Sequence, residues 1–280
     1  MRLFPQPWTE AIVYSLSGEK TGKRELPGVF SSKFRKDIVR RALLSEQSSK
    51  RQPQAHYVMA GLQTTATYVG TYGGYRHLRH MGVSANPRQK LAGGGMGDVR
   101  RIPSSVKGRR AHPHKLEKRI EERINKREYI KALESAIAAS ADEKVITAKH
   151  TFEKRELPII IENKLEELSK TSELLKVLNK MGLSEDLEKS HKPRLRKGLK
   201  RAAKSRHFRN SVLILVKNDE KIGKAGRNIP GVDVCSIDKL CVGKLSPGAE
   251  PRIILWSDGA ISDIEEGIEK SSNAAGKLFK

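Results

Sequence analysis

The chain has 280 residues, with 55 Lys and Arg against 32 Asp and Glu and a formal net charge of +23. Such an excess concerns partners rather than fold, and points to RNA, DNA or an anionic membrane. Membrane is the weakest of the three: the longest aliphatic runs, Val212–Val216 and Pro158–Ile161, fall far short of a span, and no stretch reads as a basic amphipathic helix with large aromatics.

In chain order, the opening MRLFPQPWTE has two prolines and no apolar h-region, so no secretory signal is expected. Ala11–Leu16 reads as a strand, followed by turn signals at Ser17-Gly18-Glu19 and Pro27-Gly28. Lys33–Leu44 reads as a helix, because Phe34, Ile38, Val39, Ala42 and Leu43 recur on one face. Its other face carries Lys33, Arg35, Lys36, Arg40 and Arg41, either a solvated face or an RNA contact.

Residues 45–115 then read as one long extended loop inserted in the globular domain. They hold twelve basic residues against Glu46 and Asp98, ten glycines and four of the six tyrosines. Large aliphatics occur singly and no helical or strand period persists, so the segment cannot bury enough apolar surface to offset its ordering entropy. A loop of this length in a compact domain is functional or disordered. The reading here is that it orders against a polyanion. Two arms of roughly 35 residues could reach at most about 100 Å. Arg76, Arg79, Arg88, Lys90, Arg100, Arg101, Lys107, Arg109, Arg110, His112 and Lys115 are candidate contacts to nucleic-acid phosphates, and Gly108 lets the backbone approach closely. Tyr57, Tyr68, Tyr72 and Tyr75 are candidates for stacking on unpaired bases.

Beyond the loop, Pro113 can open a helix, expected from about His114 to Ser140 with Leu116, Ile120, Ile124, Ile130, Leu133 and Ile137 as its stripe. Lys144–Leu157 reads as irregular, Pro158–Ile161 as a buried strand, and Asn163–Met181 as an amphipathic helix closed by Gly182. Lys189–Arg209 is a second basic tract with ten Lys and Arg, two histidines and no acid. Arg194, Arg196, Lys197, Lys200 and Arg201 are its candidate RNA contacts, since like-charge runs this dense meet an anion. Strands are expected at Ser211–Val216, Val232–Cys235 and Arg252–Trp256, and helical segments at Lys221–Asn228, Ile237–Leu240 and Asp258–Ile268, the last capped by Ser257 or Asp258. Residues 271–280 read as a frayed tail. Alternating strands and helices, with the strands apolar throughout, predict an α/β fold: a Rossmann-like three-layer globular domain, residues 1–44 with 116–270, around a mostly parallel sheet.

A fold of this class raises the question of an enzyme, for which the alternative is an RNA-modifying enzyme with a Rossmann-like core and a basic RNA-binding loop. The glycine run Gly93–Gly97 is neither a dinucleotide fingerprint nor a P-loop, and it neither follows a predicted strand nor opens a helix. Glu162, Asp219 and Asp258 follow predicted strands but suit helix capping. The pairs His77/His80 and His112/His114 lack a cysteine or carboxylate cluster, and Cys235 and Cys241 are spaced as no metal or redox motif and suit a reducing cytosol. No catalytic residue, cofactor or metal is expected.

Four segments carry a family resemblance: RRIPSSVKGRRAHPHK at 100–115, YSLSGEKTGKRELPGVF at 14–30, DIVRRAL at 37–43 and RNIPGVDV at 227–234. With them the chain, from Ala11 to about Ile268, resembles the archaeal and eukaryotic form of large-subunit ribosomal protein four, the universal L-four family. The resemblance implies a structural constituent of the large ribosomal subunit in the cytoplasm. It implies a primary binder of large-subunit rRNA that acts early in assembly, beside neighbouring ribosomal proteins. It also implies an extension that reaches the polypeptide exit tunnel and the nascent chain. Tyr75, Arg76, His77, Arg79 and Met81 are the tunnel-lining candidates.

Overall fold

The computed structural model describes residues 10–68, 70, 82–152, 156–195, 206–268 and 270. By contacts the chain divides into two units: Met1–Lys50 with Glu121–Lys280, and Arg51–Ile120.

The first unit is built on a six-stranded sheet. Strands β1 (Glu10–Tyr14) and β2 (Lys20–Glu25) form an antiparallel edge pair. The charged strand β2 was not expected, because KTGKRE has no apolar alternation; it forms by pairing with β1 and through Arg24, which donates to Asp258 and, at 2.6 Å, to Ser262. Helix α1 spans Lys36–Ser49, starting later and ending five residues beyond the expected Leu44. Helix α2 spans only Lys126–Ala138. Leu116, assigned to its stripe, is exposed. The reason lies in α1: Ser45 Oγ donates to the Glu122 carbonyl at 2.6 Å, and Ser48 Oγ accepts from the Glu122 N–H at 2.9 Å, so backbone groups a longer helix would use are taken.

The short helix α3 (Glu143–Thr147), capped by Asp142, lies in a stretch expected to be irregular. After it come β5 (Ile159–Ile161), α4 (Thr171–Lys180) and α5 (Ser184–His191). The expected single helix from Asn163 is instead a 3-10 turn, Asn163–Glu167, then α4. Gly182 closes α4 as expected, at φ +78° and with its N–H on the Asn179 carbonyl. Next are β8 (Val212–Val216), α6 (Ile222–Gly226), β9 (Asp233–Ser236), α7 (Val242–Leu245), β10 (Ile253–Ser257) and α8 (Asp258–Ser262), the last capped by Ser257 Oγ. Strands β3 and β4, in the second unit, and β6 and β7 are introduced below.

The sheet order is β2-β1-β5-β10-β8-β9, parallel except at β2. Alternate strand residues feed two cores. Ile160, Leu213, Leu215, Ile254 and Trp256 pack with Val39, Leu43, Leu133 and Ile137 of α1 and α2 on one face. Ile159, Ile161, Ile214 and Leu255 pack with Leu174, Leu178 and Leu187 of α4 and α5 on the other. A period-two strand must do this when both faces are covered. The fold is therefore the expected α/β domain with a mostly parallel central sheet.

Glu46, assigned to the loop by its position, is instead buried in α1. Its carboxylate accepts from Tyr129 Oη at 2.7 Å and from the N–H groups of Val242 and Gly243 at 2.8 and 2.9 Å, tying α1, α2 and α7 together. The buried hydroxyl facing that carboxylate has its pKa raised, first by burial and then by the negative charge of Glu46. Among the described residues no helix is long and apolar enough to cross a membrane.

Candidate nucleic-acid interface

The second unit, Arg51–Ile120, has almost no interior. Ala66 is its only buried residue among those described. Eight of the eleven large apolar side chains that are exposed among the described residues belong to it, including Tyr57, Val58, Tyr68, Val106 and Leu116. Its shape is held by backbone pairing instead. The His56 N–H donates to the His114 carbonyl at 3.1 Å. Thr67 bridges Arg88, the first residue of β3 (Arg88–Lys90), and β3 pairs antiparallel with β4 (Met96–Val99). This ribbon was not expected: its strands are short and lack an apolar period. It places Gly93–Gly95 in a hairpin turn after a strand, closed by the Gly94 N–H on the Leu91 carbonyl at 3.1 Å. The run thus does follow a strand, but it leads to a second strand and not to a helix, so no phosphate-cradling turn arises.

The segment from Arg100 to Gly108 is a closed knuckle. The Ser105 N–H donates to Ile102 O at 3.2 Å and the Gly108 N–H to Ser105 O at 3.0 Å. Arg101 and Lys107, at its two ends, take positive φ values of 71° and 58°, uncommon for residues with a Cβ. A Cβ on Gly108 would stand 1.9 Å from Ile102 O, and one on Gly61 would stand 2.5 Å from Gly108 O. The two arms therefore cross at a point only glycine admits.

The basic side chains divide into two groups. Arg100 is used within the unit: Nη1 donates to Val106 O at 2.6 Å and Nη2 to Asp98 at 3.1 Å, and its side chain is only 17% exposed, so it is poorly placed to hold a phosphate. Arg88 donates to Ser84 Oγ at 3.0 Å and is partly covered. Lys90, Arg101, Lys107, Arg109, Arg110 and Lys115 are exposed and make no ion pair among the described residues, and His112 is exposed beside them. Tyr57 and Tyr68 are also exposed, with Tyr57 Oη accepting from Gln63 at 2.9 Å. Tyr72, Tyr75, Arg76, His77, Arg79 and Met81 lie outside the described residues.

The second basic tract leaves α5 and returns to β8. Strands β6 (Arg194–Leu195) and β7 (Arg206–His207) pair antiparallel within it; Arg196, Lys197, Lys200 and Arg201 lie outside the described residues. A buried network that the sequence did not reveal fixes its root. Asp186 Oδ2 meets His150 Nδ1 at 2.9 Å and accepts from Ser211 Oγ, while Oδ1 accepts from the Thr151 N–H at 3.3 Å and lies 3.4 Å from Arg209 Nη2. Burial alone would raise the pKa of Asp186, but the bonds from His150 and Ser211 and the charge of Arg209 outweigh it and hold the carboxylate below its ordinary range. The signal in the sequence is faint: one acid, one His and one Ser, 36 and 25 residues from the acid.

These residues do not form a catalytic triad. The carboxylate stands between Ser and His, so the imidazole cannot take the Ser211 proton. The carboxyl ends of the parallel strands, where such folds bind nucleotides, are bridged by the chain's own hydrogen bonds. Glu166 accepts from the N–H groups of Lys217 and Asn218 and from Ser257 Oγ, and Asn163 Oδ1 accepts from the Gly259 N–H at 2.6 Å. Cys235 is buried on β9 and Cys241 half-buried, and among the described residues no three His, Cys, Asp or Glu side chains gather as a metal cage.

Comparison with known proteins agrees with the sequence resemblance. The model of the ribosomal protein L4/L1 family matches residues 24–267. The large ribosomal subunit protein uL4 of Methanocaldococcus jannaschii is 38% identical over 265 residues, covering 93% of this chain and 100% of that protein. The proteins of the same name from Archaeoglobus fulgidus and Haloquadratum walsbyi are 38% and 32% identical, each covering 92% of this chain and 98% and 99% of their own lengths. With a family model and full-length relatives in agreement, this chain belongs to the ribosomal protein L4/L1 family.

Proposed function

We propose that this chain is a structural, non-enzymatic constituent of the large ribosomal subunit in the cytoplasm, bound to rRNA and to other subunit proteins. The observation that carries the reading is the second unit: exposed, unpaired cations on a backbone-paired scaffold with a single buried residue among those described. Such a unit lacks the burial to order itself, and a polyanion supplies what it lacks. The apolar and tyrosine side chains left exposed suit unstacked bases.

In the finer reading, residues 51–115 penetrate the rRNA early in assembly, since residues 45–49 belong to α1. Lys90, Arg101, Lys107, Arg109, Arg110 and Lys115 hold phosphates near the knuckle, with Arg88, Arg100, Gly108 and His112 shaping that contact. Tyr57, Tyr68, Tyr72 and Tyr75 stack on bases. The stretch 72–97, through Tyr75, Arg76, His77, Arg79 and Met81, lines the exit tunnel and meets the nascent polypeptide. The tract Lys189–Arg209, with Arg194, Arg196, Lys197, Lys200 and Arg201, is a second rRNA contact, anchored through Asp186.

Sucrose-gradient fractionation of tagged cells tests the reading: the protein should co-migrate with large subunits, and migration with small subunits or with no ribosomal particle refutes it. With about ten phosphates neutralised, log affinity should fall with log salt at a slope of roughly −7. Deleting residues 72–82, which leaves Lys90 and the β3–β4 ribbon in place, should spare incorporation but abolish nascent-chain crosslinks, whereas neutralising Arg101, Lys107, Arg109, Arg110 and Lys115 should block incorporation.

A further inference from the structure

On the globular unit, α1 and α2 are held side by side by the Arg35 N–H, which donates to Ser135 Oγ at 2.7 Å, and by the Arg41–Glu128 ion pair at 2.9 Å. Between them opens a cleft of about 480 Å³ lined by Arg35, Ile38, Asn125, Lys126, Arg127, Glu128 and Lys131. Four of its seven lining residues are cations, and all four are exposed. The one acid in the lining, Glu128, is engaged by Arg41, and Asp37 on α1 is engaged by Arg35 at 2.7 Å. Lys126, Arg127 and Lys131 form no ion pair among the described residues.

We infer that the α1–α2 cleft is an rRNA backbone contact of the globular unit, separate from both basic excursions, in which Lys126, Arg127 and Lys131 hold consecutive phosphates. The inference rests on the rRNA-binding reading above. Three uncompensated like charges along one cleft repel one another, and an anion that follows the cleft relieves that repulsion. A polymeric phosphate fits better than a small anion, because the cations are spread along the lining and all reach solvent. Ile38 is the only large apolar side chain in the lining, so nothing there selects an enclosed organic ligand. Arg127 adds the planar fork that grips a phosphate with two bonds.

The test uses the full-length protein and transcribed large-subunit rRNA. Filter binding across a salt series compares wild type, Lys126→Glu/Arg127→Glu/Lys131→Glu, the charge-keeping Lys126→Arg/Arg127→Lys/Lys131→Arg, and a control reversed at Arg101, Arg109 and Arg110. The first variant should bind about tenfold more weakly or worse, with a salt slope shallower by roughly 2, and the charge-keeping variant should keep the wild-type salt slope and lose no more than about threefold in affinity, the part due to the Arg127 fork. Wild-type affinity of the first variant, with loss in the control, overturns the cleft contact and leaves the rRNA reading standing; loss in neither overturns both. If the first variant melts early, crosslinking mass spectrometry on wild-type subunits decides. Crosslinks from the Lys126 and Lys131 peptides to rRNA support the contact, and crosslinks from them only to a neighbouring protein overturn it.

Discussion

Replacing Asp186 by Ala tests whether the root of the second basic tract is held by a buried network. The carboxylate is fully buried and serves His150, Ser211, the Thr151 N–H and Arg209. Removing it strands an imidazole that is itself fully buried and takes the carboxylate from a guanidinium whose side chain is only 16% exposed and which keeps only the Lys149 carbonyl. Breaking a buried ionic network by deleting one partner costs about 3–5 kcal/mol. In a unit of this size that is roughly a 10 °C fall in melting temperature. Urea unfolding followed by circular dichroism measures it, with Ser211→Ala, which removes one of the bonds, expected to lose only about 1–3 kcal/mol. The pH dependence follows from the depressed pKa of Asp186. A carboxylate with a lower pKa folded than unfolded contributes stability above its unfolded value, near 3.9, and loses it as pH falls through the folded value. The gap between wild type and Asp186→Ala should therefore be full at pH 7 and begin to shrink only below about pH 4, narrowing further as the folded carboxylate is protonated. A penalty under about 1 kcal/mol at pH 7, or a gap that does not shrink in acid, would refute the network as the anchor.

Glu46→Ala should destabilise the globular unit by about 3 kcal/mol or more in the same urea assay, because it orphans Tyr129 and two backbone N–H groups, while Tyr129→Phe should cost less. In the second unit, Arg109→Ala/Arg110→Ala should flatten the salt dependence of rRNA binding by roughly 1.4, whereas Arg100→Ala, whose guanidinium is used within the knuckle, should leave the slope unchanged and raise protease sensitivity around residue 106. Gly108→Ala should weaken rRNA binding without moving the melting of the globular unit, because its Cβ collides with Ile102 O; Gly95→Ala, whose nearest neighbour would be 3.7 Å away, should bind normally in the same filter assay.

Much of this protein could be read from local pattern. The strands at Ile159–Ile161, Val212–Val216 and Ile253–Ser257 are apolar throughout because both sheet faces are covered, and that pattern survives in one dimension. Gly182 ending α4 and Ser257 capping α8 are likewise local chemistry. The charge excess and the composition of the long insertion point to a polyanion because partner and order both follow from which residues are present. Tertiary structure decided whatever depends on which groups the folded chain brings within reach of one another. Strand β2 exists because β1 pairs with it, and α2 is short because Ser45 and Ser48 hold Glu122, 77 and 74 residues away. Glu46 left the insertion for the core because Val242, 196 residues on, offers its N–H. Arg100, identical in type to Arg101, is spent on Asp98 and Val106 while Arg101 is not. A charged side chain is a phosphate ligand or a strut according to what lies within about 3 Å of it, and residue order alone does not carry that distance.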